Sequence, residues 1–268
     1  MELVLEQIKY KDVLSDITYK FLSKRIYGLY GDNCNYIMDL INGDILDYDG
    51  DFFIDDVLIE KDFYKKNSSL IALIESKPFF YSNRVDEEFK FNVSFRKYDC
   101  DLEKKEKELL KLVGLDESIL KRNINTLSSC EKYLLSIAIN LIYEPKIIMF
   151  KDIFWGLDRN NKKKVLMIIK NLKEDNKIVI ISHRDTNILY EVVDDVILMD
   201  KATIYKEGSS DDIFTSTEIM KEEVIPMPYI TKVTYLAKNK KVKLSYHKDV
   251  RDIIKDIFKH VYEFMFLW

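Results

Sequence analysis

Glycine is the first scarcity in this chain. Only seven of its 268 residues are Gly, against the roughly 7% of ordinary usage. They stand singly at positions 28, 31, 43, 50, 114, 156 and 208, or as the loose pair 28 and 31. A loop that wraps phosphate groups uses clustered glycines, because they let successive N–H groups curl toward an anion at no steric cost. No such cluster is present. Cysteine is nearly absent too: Cys34, Cys100 and Cys130 have neither metal-ligand spacing nor the makings of a disulfide framework.

Long apolar runs are missing as well, and none approaches the ~18 residues that a membrane-spanning helix needs. The opening residues alternate like a strand and do not resemble a signal peptide. These absences predict a reduced, cytoplasmic protein that reaches a membrane only through a partner. An excess of positive charge is also lacking, since the formal net charge is −4. No nucleic-acid partner is expected, and the run Lys162-Lys163-Lys164 reads as a solvated helix face.

What is present is a globular composition, 47% hydrophobic and 33% charged, in short β-type runs that alternate with amphipathic helices. That alternation predicts an α/β sheet protein. Residues 3–8, 16–21, 25–30 and 52–59 read as strands or strand pairs. Three compact runs, KIIMF (146–150), KIVIIS (177–182) and VILM (196–199), are uninterrupted, as strands covered on both faces are. Tyr133, Leu134, Ile137, Ala138, Leu141 and Ile142 mark one helix, and Val165, Ile168, Ile169 and Leu172 a second. Residues 102–113 predict a surface helix closed by Gly114. Pro226 and Pro228 mark a break, and Val250, Ile253, Ile254, Ile257, Phe258 and Val261 a final helix. We place a boundary near 218, with a C-terminal lobe over 218–268 and possible dimerisation through it. The apolar ending Phe264-Met265-Phe266-Leu267-Trp268 either packs on the domain or meets a subunit.

Four segments, in order, carry a resemblance. They are Gly28-Leu29-Tyr30-Gly31-Asp32-Asn33, Leu127-Ser128-Ser129-Cys130-Glu131 opening a helix, the strand 146–150 followed by Gly156-Leu157-Asp158, and Ile180-Ile181-Ser182-His183. Their order and spacing resemble the phosphate-loop entry, LSGGQ signature, Walker B strand with D-loop, and switch histidine of ATP-binding-cassette (ABC) ATPases. Residues 83–91, 196–208 and 228–244 are most similar to ATPases of energy-coupling-factor (ECF) importers. The resemblance implies a P-loop NTPase (RecA-like) ABC ATPase fold over 1–217, with an antiparallel β subdomain and a helical signature subdomain over about 76–143.

It also shows what has been lost. The family loop reads G-x-x-G-x-G-K-[ST], in which backbone N–H groups cradle phosphates, Lys reaches the β/γ-phosphates and Ser/Thr ligates Mg²⁺. Here Cys34 and Tyr36 replace glycines, Ile37 replaces Lys and Met38 replaces Ser/Thr; the helix that follows is about three residues short. Tyr36 and Ile37 are expected to fill the phosphate volume. The Walker B pair, an Asp for Mg²⁺ and a Glu for the attacking water, has become Lys151 and Asp152, followed by the bulky Ile153-Phe154-Trp155. Lys151 either replaces the missing cation, paired with Asp152, or has drifted at a disused site. Glu75 takes the place of the Q-loop glutamine.

Other positions survive. Tyr10 matches the adenine-stacking aromatic, although a strand tyrosine is ordinary. Gly28, Gly31 and Asn33 remain as a nucleotide-binding remnant, with the D-loop Asp158 and switch His183 intact. Leu127, Ser128 and Ser129 would face a partner's ATP, and Phe79, Phe80, Tyr81 and Phe89 would meet a transmembrane coupling subunit. No catalytic residue is expected to function and no metal or tightly bound cofactor is expected; ATP and Mg²⁺ would bind weakly here, or in the partner. The expectation is a pseudo-ATPase in a heterodimer with a competent ABC ATPase subunit, peripheral on the cytoplasmic face of the cell membrane. Two alternatives stay open: another ABC system such as peptide export or immunity, or an interaction protein on a retired ATPase fold.

Overall fold

The structure is a computed structural model. It describes residues 1–268 apart from 61, 68, 96–98, 155, 223–224 and 266–268; the side chains of 65–66, 220–222 and 260–265 also lie outside the description. The chain runs β1 (Glu2–Tyr10), β2 (Leu14–Leu22), β3 (Arg25–Gly31), α1 (Cys34–Asn42), β4 (Asp49–Ile54), β5 (Val57–Leu58), α2 (Phe63–Lys66), β6 (Ile71–Glu75), α3 (Val85–Phe95) and α4 (Leu102–Val113). Two 3₁₀ turns follow, Glu117–Lys121 and Ile124–Thr126. The second half continues with α5 (Ser129–Leu141), β7 (Ile147–Lys151), α6 (Arg159–Glu174), β8 (Ile178–Ser182), α7 (Thr186–Val192), β9 (Asp195–Asp200) and β10 (Thr203–Ser209). Four helices close the chain: α8 (Ser210–Phe214), α9 (Thr217–Glu222), α10 (Tyr229–Asn239) and α11 (Val250–Met265).

The larger sheet has the order β10-β9-β3-β8-β7-β6. Its strands run parallel, apart from the antiparallel edge strand β10. The uninterrupted apolar runs have a direct cause, for successive residues on each strand serve two different cores. Ile148, Phe150, Val179, Ile181, Val196 and Leu198 face a core shared with α3 to α7. Ile147, Met149, Ile178, Ile180, Ile197 and Met199 face the other core.

That second core lies between the large sheet and an antiparallel sheet of order β2-β1-β4-β5. Leu3 and Leu5 face inward along β1 and, past a register shift, so does Ile8; Ile17 and Phe21 on β2 and Phe52 and Ile54 on β4 do the same. Helix α1 fills this layer with Ile37, Met38, Leu40 and Ile41, all buried. Strand β3 is thus central in its sheet and feeds its carboxyl end straight into α1. In parallel α/β sheets that edge is where ligands meet the strands.

The anticipated boundary at 218 falls inside α9, whose Ile219 is fully buried in the larger core. Contact with that core continues through Ile225, Met227 and Ile230. Beyond this, α10 leaves Tyr229, Val233 and Leu236 exposed, and α11 leaves Val250, Ile254, Ile257 and Phe258 exposed. The side chains of the apolar ending from Phe264 lie outside the described residues, as does Trp155.

Candidate functional site

A cavity of about 580 Å³ opens at the carboxyl edge of β3 and β8. Gly31, Asp32, Asn33, Cys34, Asn35 and Tyr36 form one wall, and Asp152, Ser182, His183 and Arg184 another. Helix α1 opens directly on it at Cys34, with Asn33 as a left-handed N-cap that makes no side-chain cap bond. The Tyr36 N–H already donates to the Asn33 carbonyl at 3.0 Å. Residues 34–36 are therefore the first turn of a helix and not an open loop. With side chains replacing glycine at 34 and 36, the helical conformation is favoured one turn earlier.

This early start redirects the side chains. Ile37 and Met38 point into the core, at 2% and 0% exposure, so Ile37 does not fill the cavity as expected. Tyr36 does line it, and its ring lies 6.1 Å from that of Tyr10. Tyr10 itself carries the Lys11 ammonium 4.8 Å over its ring. The Asn33 side chain is engaged across the sheet edge, Nδ2 donating to the Lys201 carbonyl at 2.9 Å. Gly28 and Gly31 have packing reasons of their own. Gly31 has φ +107°, and an added Cβ would lie 2.0 Å from the Met199 carbonyl oxygen.

Lys151 ends β7 beside Glu75 at the end of β6, its register partner in the parallel ladder. Its ammonium donates to Asp39 Oδ1 on α1 at 2.6 Å and lies 4.0 Å from Glu75 Oε1. The expected pairing with Asp152 is replaced by these two contacts, because Asp152 follows the strand in a left-handed conformation, φ 50°, and turns toward the cavity. Its N–H donates to Ser182 Oγ at 3.2 Å. Ile153 and Phe154 then enter the core, and the Phe154 ring lies 6.4 Å from that of His183. His183 Nδ1 accepts the Asp185 N–H at 2.8 Å, and burial holds its pKa below the usual imidazole value. Burial also pushes the Cys34 thiol up to about 12, so it stays neutral.

A second cavity gathers Ser128, Cys130, Glu131, Arg122, Asp158 and Asn161. Ser128 N-caps α5 in a full capping box. Its Oγ accepts the Glu131 N–H at 3.2 Å, and Glu131 Oε2 accepts the Ser128 N–H at 2.8 Å. The Ser128 hydroxyl also donates to that carboxylate, and Arg122 pairs with its other oxygen at 3.3 Å. These bonds hold Glu131 below the ordinary Glu pKa, the Ser128 N–H foremost. Asp158 caps α6 in the same way, accepting from the Asn160 and Asn161 N–H groups. Leu127 is buried, while Ser129 is exposed.

The aromatic stretch after β6 splits. Phe79 and Tyr81 are 76% and 70% exposed, while Phe80 packs partly on the core. Phe89 is fully buried and belongs to the core, not to the surface. Its place outside is taken by Phe91 and Phe95, one turn apart on α3. The rings pack in series, Phe79–Tyr81–Phe91–Phe95, at centroid distances of 5.1, 4.9 and 5.8 Å, the first pair edge to face and the other two stacked. Glu88, buried, holds the loop to the helix by accepting the Tyr81 and Ser82 N–H groups.

No family model matches the sequence. An energy-coupling factor transporter ATP-binding protein from Mycoplasma genitalium is 28% identical over 234 residues, 82% of this chain and 76% of that one. Another, from Mycoplasma mobile, is 27% identical over 238 residues, 84% of each chain. Among solved structures, cbiO1 from Clostridium perfringens, part of the ABC transporter complex cbiONQ, superimposes with TM-score 0.71 and 20% identity, covering 87% of this chain and 98% of that one. The fold is that of an ABC ATPase cassette.

Against the needs of an ABC cassette, the residues present do not fit Mg²⁺. The ion requires an oxygen-rich octahedral shell. The Ser/Thr position is a buried Met38, and the metal-facing end of β7 offers an ammonium. Among the described residues, no group of three His, Cys, Asp or Glu could hold a metal ion. The phosphate-binding lysine has no equivalent within α1, and Asp152 places a carboxylate in the cavity. One cation does line this cavity, Arg184. Nothing in the family motifs marked it, and its place directly after His183 is the signal that could have found it.

Proposed function

We propose that this chain is a catalytically impaired ABC ATPase-like subunit of an ECF-type membrane transporter, paired with a competent ATPase subunit. The observation that carries this reading is the Lys151–Asp39 ion pair at 2.6 Å, which puts a cation where a cassette needs a carboxylate for Mg²⁺. With metal and phosphate-loop lysine both lost, hydrolysis falls to the partner's own phosphate loop and Walker B carboxylates. This chain contributes Ser128, Asp158 and support for the shared interface.

Docking on a transmembrane coupling subunit uses the exposed ring series from Phe79 to Phe95, since a contiguous exposed apolar patch marks a protein contact. Among the described residues no helix is long and apolar enough to cross a membrane. Attachment at the cytoplasmic face of the membrane therefore runs through that subunit. The similarity to ATP-binding subunits of energy-coupling factor transporters over more than four-fifths of the chain supports this choice of system.

The test is a tagged pull-down from native membranes, followed by ATPase assay of the recovered complex. An intact ATPase subunit and a membrane subunit are expected, with turnover lost on mutating the partner's Walker B Glu and retained in Asp152→Asn. The double variant Phe79→Ser/Tyr81→Ser should keep the wild-type melting temperature yet lose the membrane subunit. Recovery of a soluble homodimer alone would contradict the reading.

A further inference from the structure

We infer that the Lys151 ammonium is a built-in replacement for the divalent cation, bridging three elements that a metal site would otherwise hold together. The inference rests on the cassette reading above, and it concerns this chain's own architecture, not its partner.

The geometry is specific. Lys151 and Glu75 end adjacent parallel strands in register, and Asp39 approaches from α1 across the same edge. The ammonium touches Asp39 at 2.6 Å and approaches Glu75 at 4.0 Å. Both members of the closer pair are only 22% exposed, so this is a sheltered, charge-assisted hydrogen bond and not one of the loose surface pairs that contribute little. A lysine at a disused position would be expected to extend into solvent. This one instead turns onto a carboxylate 112 positions away in sequence.

The charge pattern explains why the cation is needed. Asp39, Glu75 and Asp152 all lie at this end of the sheet; Asp39 touches Lys151, and Glu75 lies at ion-pair distance from it. Removing the ammonium leaves Asp39 part-buried and unpaired, which costs more than the pair contributes. A metal ion answers the same need with oxygen ligands and exchanges with solvent. A covalently attached ammonium answers it permanently. The site then has the same charge in every state of the transporter, independent of Mg²⁺ or nucleotide, and the edge of β6, β7 and α1 stays closed.

Thermal denaturation of the purified chain tests this, in EDTA and in Mg²⁺ or Mn²⁺ at matched ionic strength. The wild type should melt within about 1 °C in all three, while Lys151→Met, which keeps the length and removes the charge, should melt lower by about 3–6 °C. Lys151→Asp assembles three carboxylates. It should melt lower still in EDTA and become metal-responsive, recovering about half of its loss in millimolar Mn²⁺. The charge swap Asp39→Lys/Lys151→Asp should melt above the Lys151→Asp single variant, and it keeps the test informative if that variant folds poorly.

A Lys151→Met protein that melts with the wild type would overturn the inference. So would a wild type that Mg²⁺ stabilises as strongly as it does Lys151→Asp, or a charge swap that melts no higher than the single variant. None of these readings uses ATP or a partner. The inference can therefore fail while the pairing proposal stands, and the pairing proposal can fail while this one holds.

Discussion

Gly31 shows that a glycine in a motif position can have a packing role independent of the motif's chemistry. Its φ of +107° and the Met199 carbonyl 2.0 Å from an added Cβ forbid any side chain at the crossing of β3 and β9. Gly31→Ala should therefore destabilise the chain by about 2 kcal/mol or more, read by chemical denaturation, even though no nucleotide is involved. Retention of such a glycine is no evidence of phosphate binding. His183 makes the same point through titration. Its pKa is depressed by burial against the opposing pull of Asp185 and Asp152, so the unfolded chain binds that proton more readily. The stability it contributes is complete above the ordinary imidazole value and is lost as pH falls through the lowered one. The melting temperature should accordingly fall from about pH 7 to about pH 5, and His183→Gln should flatten that slope. An unchanged slope would show that His183 titrates as freely in the fold as outside it.

Whole elements follow from local chemistry to different degrees. Strands β7, β8 and β9 were legible because each carries an unbroken run of four apolar residues and each face of the sheet has its own core. The α4 helix was legible from its cap, since Gly114 closes it in a left-handed conformation. The start of α1 was not, because the family pattern predicts a loop where side chains at 34 and 36 allow a helical turn. Nor was the split of the aromatic segment. Val85, Glu88 and Phe89 form the buried face of α3, and only the packed helix shows that Phe89 turns in while Phe91 and Phe95 turn out. The partners of Lys151 were beyond reach for a plainer reason. Asp39 is 112 residues away, and only the fold brings α1 over β7.

The signature helix gives an element-scale prediction. Glu131 both completes the Ser128 cap and places its own carboxylate at the positive end of α5, where a phosphate would otherwise be attracted. Ser128→Ala should cost about 1 kcal/mol of stability. Glu131→Gln keeps the cap geometry, removes the negative charge and should strengthen the partner's ATP affinity in the assembled complex. An affinity unchanged by Glu131→Gln would mean that this helix end does not face the nucleotide.

At the scale of the molecule, cassette architecture is separated from cassette chemistry on the proposed reading. The two sheets, α1 between them and the helical segment from α3 to α5 all have ABC form. The fold keeps that form through apolar burial on both sides of the large sheet, which makes no use of glycine, metal or nucleotide. The motif positions are held by internal contacts: Lys151 with Asp39, Glu131 with Ser128, Asp158 with the start of α6. Each satisfies within the chain a charge or helix end that a ligand would satisfy in a working site. On the proposed reading, such a cassette holds its shape without nucleotide and relies on another subunit for turnover.

The most direct measurement is ATP hydrolysis by the purified chain alone, with and without Mg²⁺, compared with its Asp152→Asn variant. No Mg²⁺-dependent turnover above background is expected, and no difference between the two proteins. Turnover near the ~1–10³ s⁻¹ typical of enzymes, abolished in Asp152→Asn, would show that Asp152 still acts as a base and would contradict the account.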